Sequence, residues 1–581
     1  MTAPVLTRVT GALAEARPLR GASLYEVVRV GHRGLLGEVI RVQDDVATLQ
    51  VYEETTGLEV GDPVEPSGRA LALPLGPGLL GSIFDGVGRP LERLAELTGD
   101  FVQPGARAPT LDPAARWEFR PQCQSGDDVH EGDVLGTVIE RDVLEHRVLV
   151  PPGVGGRIAR LAAGQFTVAD AIGSLEDGTP LRLAHEWPVR RPRPVRSRLP
   201  DDRPLVTGQR VFDLLFPAAE GGTVAVPGGF GTGKTIIEQS LAKYAEADIV
   251  VYIGCGERGN EMSEVLREFP RLIDARTGRS IMDRTVMVVN TSNMPVAARE
   301  ASVYVGITIA EYYRDMGYRV AVLADSLSRW AEALREIAAR LAEMPGEEGY
   351  PTYLSNRLGQ FYERAGRVTA LGRPPREGSL TVIAAISPPG GDLSEPVTQA
   401  TLRVAGALWA LDPSLANQRQ FPAVDWETSY SLYADQVAPW FVRATSPDWP
   451  DLRRTVLELL QHGQELRDIA GLVGPEALQD EDRLVLESAR IFRELILGQS
   501  AYDPNDASSP LIKTHELVAL AVTLHRRALG ALQRGLPFER LNLGPIRRAL
   551  AAARGAAASE RGERAAAART LIEALGAEAA S

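Results

Sequence analysis

Residues 228–235 read Gly-Gly-Phe-Gly-Thr-Gly-Lys-Thr, which fits the pattern G-x-x-x-x-G-K-[ST]. The pattern works only where a buried strand leads in and a helix leads out. The glycines must turn backbone N–H groups around phosphate oxygens, and the helix N-terminus must add its partial positive charge. The flanks comply: Thr223–Val226 is apolar and strand-like, and Lys234–Ala245 is helical in pattern. Gly228, Gly229, Phe230, Gly231, Thr232 and Gly233 form the loop itself. Lys234 can reach the outer phosphates of a nucleotide, and the Thr235 hydroxyl can ligate Mg²⁺. Lysine occurs only at 234, 243 and 513, while arginine carries nearly all the positive charge, so a lysine kept at 234 suggests chemistry.

Around this loop, strands and helices alternate. Asp248–Ile253, Thr285–Asn290, Arg319–Ala324 and Leu380–Ser387 read as buried strands, with helical stretches such as Pro295–Met316 and Ser328–Leu341 between them. The alternation predicts an α/β domain over 191–437, a mostly parallel sheet covered on both faces. Arg319–Asp325 is an apolar strand ending in an acid, the form of a Walker B strand whose Asp325 supports Mg²⁺ directly or through water. Taken alone, a helix cap looks the same. Asp248–Ile253 runs into Gly254-Cys-Gly-Glu-Arg-Gly259, which sets Glu257 just beyond a buried strand. Open α/β sheets bind ligands at that edge. A carboxylate there can orient or deprotonate water, and Arg258 can pair with phosphate or hold a loop. The plain alternative for both is a surface salt bridge.

The rest of the chain divides by texture. Short strand-like runs at Tyr25–Val30, Leu36–Val42 and Ala47–Tyr52 predict a small β-barrel over 1–70. A Gly/Pro-rich stretch, 71–110, begins the nucleotide-binding domain. Residues 111–190 are β again, and Gly126–Gly136 has the turn-rich pattern of a lipoyl-type sandwich. With no lysine in it, that segment cannot carry lipoate or biotin, so it reads as a structural or docking module. Trp187–Arg196 mixes prolines with arginines and reads as an extended, unpaired linker. No aromatics interleave with its arginines, which weakens a nucleic-acid reading. From 438 to 581 the pattern is helical, with apolar residues at three and four spacing in Leu452–Ile469, Asp480–Leu497 and His515–Leu532. The stretch from Leu550 reads as a helix on a partner surface or a frayed tail.

Composition removes several classes. A chain of 581 residues suggests about four domains. Its 44% hydrophobic and 24% charged residues are globular values. A net charge of −13 suits a nucleic-acid coat poorly. No apolar run is long enough to span a bilayer, and Met1–Pro18 lacks a signal pattern, so the expectation is a cytosolic chain. Cys123 and Cys255 make no disulfide framework, and the 7 histidines include no His-x-x-x-His pair.

With these motifs in hand, the chain resembles the catalytic A (alpha) subunits of V/A-type rotary ATPases. The resemblance covers nearly the whole chain and is densest over about 205–435. It rests on the loop at 228–235, Gly254-Cys-Gly-Glu-Arg-Gly-Asn-Glu261, Asn290–Glu300, Ala324–Glu336, Glu343–Pro351, Phe361–Val368 and Ser387–Asp392. Residues 117–187 resemble the bulge insertion of those subunits.

The resemblance implies a multidomain α/β chain with an N-terminal β-barrel, a P-loop core carrying the bulge, and a C-terminal helical bundle. It implies ATP or ADP with Mg²⁺ as ligands, Lys234 and Thr235 on phosphate and Mg²⁺, Glu257 activating water, Arg258 on phosphate or its sensing loop, and Asp325 supporting Mg²⁺. Phe421 falls where the family sets an aromatic against adenine, and Tyr502 would close the other side, with core packing as the alternative for both rings. The implied partners are B subunits in an alternating A3B3 hexamer, which supply an arginine finger, together with central shaft and peripheral stalk subunits. The membrane rotor is met only indirectly, no nucleic acid is expected, and the implied place is the cytoplasmic side of the cell membrane.

The chain departs from the family pattern at Gly229, where proline is usual, at Leu327, at Gln418 and Gln420, and at Ser508-Ser509-Pro510. These departures bear on rate and affinity. The rival readings are a non-catalytic nucleotide-binding subunit of the same motor, a secretion-type ATPase and a RecA-like hexameric nucleic-acid translocase. The intact Lys234–Thr235–Glu257 set argues against the first, the bulge against the second and the net charge against the third. Coupling ion and working direction are not encoded in this chain's motifs.

Overall fold

The computed structural model describes residues 3–99, 102–229, 231–274 and 276–575. Two compact units form: Met1–Pro200 with Ala247–Pro388 and Asp392–Val404, and Asp201–Glu246 with Pro389–Gly391 and Ala405–Ser581.

The first unit begins with the expected barrel. Its antiparallel strands lie in the order Val5–Thr10, Leu13–Arg17, Val46–Val51, Leu35–Gln43, Glu26–Val30, Val64–Ala70. Leu6 N donates to Asp62 O at 2.8 Å and Val64 N to Pro4 O at 2.9 Å, which brings the two edges together. Alternate residues such as Val28, Val30, Leu49 and Val51 point inward, as a pleat of period two requires. The bulge is a sandwich of two four-stranded sheets. One is Asp128–Val129, Gly156–Leu161, Ala171–Leu175 and Pro180–Arg182; the other is Leu144–Leu149, Val134–Glu140, Trp117–Pro121 and Gly164–Phe166. Phe119, Leu135, Val138, Ile158 and Ile172 fill the space between them.

Five strands of this unit run parallel: Glu377–Ile386, Arg319–Asp325, Ile249–Glu257, Thr285–Thr291 and Ile83–Phe84, in that spatial order. Their near-continuous apolar runs reflect burial on both faces. The helix Val296–Asp315 is buried at every position after Val296. It carries Glu300, Glu311 and Asp315; its own Arg314 meets Asp315 at 2.7 Å, and the remaining buried charge must be matched from elsewhere.

Arginines match it, and here the sequence reading needs correction. Trp187–Arg196 is not an unpaired linker. His185–Pro188 pairs antiparallel with Ala72–Leu75. Arg190 Nη2 stands 2.9 Å from Glu38 of the barrel and 2.6 Å from Glu300 of the helix. Arg193 Nε donates to Asp315 at 2.6 Å, and Arg364 donates to Glu311. Prolines keep the segment extended, but extension serves to lay arginines along the helix.

In the second unit, Thr223–Pro227 pairs in parallel with Ala407–Leu408, which pairs antiparallel with Tyr430–Ser431. The helices Ala434–Ala444, Trp449–Val473, Asp480–Ile491, Leu511–Gln533, Leu543–Gly555 and Arg561–Ala574 follow, with a π-helical turn at Phe492–Leu497. The stretch from Leu550, read as a helix on a partner surface or a frayed tail, is helical through most of its described residues and packs one face within this unit. Ala565, Ala568 and Ile572 are buried, and Arg561–Ala574 packs on Leu511–Gln533 and Leu543–Gly555. Arg210, fully buried, ties this bundle to the start of the unit through Asp506 at 2.7 Å and the Gly498 carbonyl at 2.7 Å. Among the described residues, no helix is long and apolar enough to cross a membrane.

Candidate functional site

The phosphate loop lies in the second unit, where the strand Thr223–Pro227 ends and the helix Lys234–Tyr244 begins. Gly231 and Gly233 have φ of 76° and 88°, left-handed values that glycine adopts without steric cost. Thr232 is buried and its hydroxyl donates to Gly229 O at 2.9 Å, which cross-braces the turn. Lys234 folds back over the loop, its Nζ donating to Gly228 O at 2.6 Å and Gly229 O at 3.0 Å. Thr235 sits in the first helical turn and is exposed. Phe230 lies outside the described residues.

Two aromatic rings were expected beside this loop. The Phe421 ring is adjacent: a Cβ added at Gly233 would stand 3.1 Å from its Cε1. Gln499 N donates to Phe421 O at 2.9 Å, which brings the 499–503 segment alongside. Tyr502 itself is 91% exposed, so core packing does not hold it.

Glu257, Arg258 and Asp325 lie in the first unit, at the carboxyl ends of its parallel strands. The strand from Ile249 runs farther than its apolar stretch suggested, and Glu257 is its last residue, not a residue beyond it. Pairing with Thr285–Thr291 carries the strand on, with an irregularity between Cys255 and Glu257. Gly256 allows it: its φ is 75°, and a Cβ there would stand 2.7 Å from Arg329 Cβ and 2.9 Å from Arg299 Cδ. On the other side Gly254 pairs with Asp325, and Ser326 N donates to Cys255 O at 3.4 Å. Glu257 and Asp325 therefore end adjacent strands. Asp325 is buried. Arg258 is the position before the helix Gly259–Glu268, and its side chain is 60% exposed, 3.8 Å from Glu261.

Burial pushes the Glu257 carboxyl above the ordinary carboxylate range. Glu261 adds to the rise, while the Ser326 hydroxyl and the Arg329 guanidinium oppose it. Such a group binds its proton more tightly than a surface glutamate does. Arg329, held by Glu332 at 3.0 Å, is a cation the sequence reading did not single out. Its signal was present in the matched stretch Ala324–Glu336, but helix phase alone did not aim it at Glu257.

The Thr235 hydroxyl of the second unit and the buried Asp325 carboxylate of the first are each hard oxygen donors of the kind Mg²⁺ takes. Among the described residues, no group of three or more His, Cys, Asp or Glu side chains forms a metal cage.

Comparison with known proteins places each region. Residues 6–68 match the ATP synthase alpha/beta family beta-barrel domain, and 108–190 match the ATP synthase alpha/beta subunit barrel-sandwich domain. Residues 208–431 match the nucleotide-binding domain of the ATP synthase alpha/beta family, and 438–541 the C-terminal domain of V and A type ATP synthase. The chain is 59% identical over 533 residues to a V-type ATP synthase alpha chain of Anaeromyxobacter dehalogenans, covering 92% of each. It is 54% identical over 541 residues to the A subunit of the A-type ATP synthase of Methanopyrus kandleri, covering 92% of this chain and 91% of that one. In fold it is similar to the assembled ATPase EscN of the enteropathogenic E. coli type III secretion system, with a TM-score of 0.64 at 22% identity over 89% of this chain and 100% of that one.

Proposed function

Because the chain belongs to the ATP synthase alpha/beta family, among its V- and A-type alpha or A subunits, we propose that it is the catalytic ATP-hydrolysing and ATP-synthesising subunit of a rotary ATPase. The observation that carries this reading is Glu257, a carboxylate with a raised pKa, ending a strand beside the Asp325 strand end in a chain that keeps the whole phosphate loop.

In this reading Lys234 leaves the Gly228 and Gly229 carbonyls for the β- and γ-phosphates, and the loop's N–H groups hold the remaining oxygens. Thr235 and Asp325 would hold the Mg²⁺ carried by ATP, which would supply positive charge against the phosphates. Glu257 orients the attacking water and takes up its proton. Arg258 and Arg329 steady the charge around that carboxylate and the departing phosphate. Phe421 stacks on adenine, and Tyr502 covers the other side. An arginine from a neighbouring B subunit completes the site, in an alternating A3B3 ring. Closing of the C-terminal helices on nucleotide would turn a central shaft, with a peripheral stalk holding the ring still. The complex would work at the cytoplasmic face of the cell membrane, and this chain would reach the membrane rotor only through other subunits.

The test is ATP turnover by the chain alone and mixed with its B partner, for wild type and Glu257→Gln. The expected outcome is turnover only in the mixture, abolished by Glu257→Gln while nucleotide still binds. Turnover that survives Glu257→Gln removes the catalytic assignment.

A further inference from the structure

A cavity of about 580 Å³ in the first unit takes no part in the chemistry above. It opens where the end of the barrel strand Val46–Val51, the turn at 85–89, the helix Leu91–Thr98 and the segment 293–298 meet. Glu257, Arg258, Asp325 and the phosphate loop contribute nothing to its lining. Its size is that of a small-molecule site.

The buried charges in its wall are already satisfied. The Glu53 carboxylate accepts from Leu36 N at 2.9 Å and Gly105 N at 2.7 Å, and faces Arg89 at 3.3 Å. Asp85 accepts from Val87 N at 3.1 Å, Arg89 N at 2.8 Å and Arg89 Nε at 2.7 Å. At the exposed rim, Arg340 donates to Glu336. A cation or an anion would have to break these bonds to be held. Asn290 differs. It lines the cavity near the end of the strand Thr285–Thr291, is 1% exposed, and neither its Oδ1 nor its Nδ2 has a hydrogen-bond partner. Folded proteins rarely carry such a group without a use. Gly86 also lines the cavity, and a Cβ there would stand 2.2 Å from Ala298 O and 3.3 Å from Asn290 Nδ2, so only glycine fits between that carbonyl and the amide.

A carboxamide presents one acceptor beside two donors, and its complement is another flat edge with a donor next to an acceptor. We infer that this cavity binds a small, neutral, flat molecule bearing a carboxamide or lactam edge, with Asn290 pairing that edge and Leu91, Leu94 and Met294 against its apolar body. The site is separate from the phosphate loop and does not depend on the catalytic reading.

The test is saturation-transfer NMR on the full chain with benzamide as the probe, benzoate and toluene as controls, and MgATP as competitor. Benzamide is expected to bind at least about tenfold more tightly than either control, and to stay bound under saturating MgATP. Asn290→Leu keeps the shape and removes the amide, so it should weaken benzamide about tenfold while the melting temperature holds. Val102→Trp, at a lining position that is 45% exposed, should block the cavity and give the same loss without touching the amide. The inference is overturned if benzamide fails to bind, if MgATP displaces it, if toluene or benzoate binds as well, or if neither variant weakens it. A large drop in the melting temperature of Asn290→Leu also overturns it, because the amide would then have a partner within the fold.

Discussion

The phosphate loop and the carboxylate edge are built on opposite plans. The loop is made of backbone: two left-handed glycines, a threonine brace and a lysine resting on its own carbonyls. The edge is made of side chains brought together by strand register, with Glu257 and Asp325 ending neighbours in a parallel sheet. The edge is buried enough to raise a carboxyl pKa, whereas the loop's backbone N–H donors do not titrate. Binding of a highly charged ligand can rest on a backbone cradle, but proton transfer needs a side chain whose surroundings tune it.

Substitutions separate the two plans. Glu257→Gln should lower turnover about 10²- to 10⁴-fold while equilibrium binding of nucleotide changes little, measured by steady-state rate against fluorescence titration. Equal losses in both would mean that the edge also binds. Gly256→Ala places a methyl against Arg329 and Arg299 in a left-handed backbone, a strain of about 1–3 kcal/mol. It should cut turnover with the loop's affinity intact, and an unaffected rate would show the edge to be looser than drawn.

A pH series sharpens the contrast further. Glu257 acts as base only when deprotonated, and its folded pKa lies above the ordinary range. The acid limb of kcat/KM should therefore sit at higher pH than an exposed glutamate gives. Glu261→Gln removes a charge that raises that pKa, so it should move the limb toward lower pH, whereas a limb that stays put disconnects it from Glu257. On the loop side, Tyr502→Ala should raise KM about twofold to tenfold, the worth of one stacked ring, without altering the melting temperature. The smallest effect is expected at Gly229, where an added Cβ meets nothing closer than Pro413 Cγ at 3.8 Å. Gly229→Pro should stabilise by about 0.4–1 kcal/mol with turnover kept, seen as a slightly higher melting temperature.

Legibility in the sequence follows the same division. The loop is eight consecutive residues whose geometry is local, so its strand, turn and helix were all readable. Glu257 was readable as a strand-end acid, but the strand's last residues were not, because Gly254 and Gly256 break the apolar pattern that pairing with Thr285–Thr291 carries through. Arg329 went unassigned because its aim depends on how the helix Leu327–Arg340 leaves the Asp325 strand. The barrel, the sandwich and the helical end announced themselves by periodicity. Arg190 did not, since its partners Glu38 and Glu300 lie 152 and 110 residues away in sequence, and prolines beside it imitate a linker. The tail helix Arg561–Ala574 was ambiguous for a related reason: an alanine face carries too little apolar signal to say which surface covers it.

The buried helix Val296–Asp315 has a mechanical consequence. Its carboxylates at 300, 311 and 315 are each gripped by an arginine anchored on another segment. Sliding the helix by one turn, about 5.4 Å, would tear several of these grips at once and strand charges where water cannot reach. A helix packed only by greasy side chains can creep along its axis through many nearly equivalent positions. This one is keyed at three points along its length, like a shaft and unlike a rod in oil.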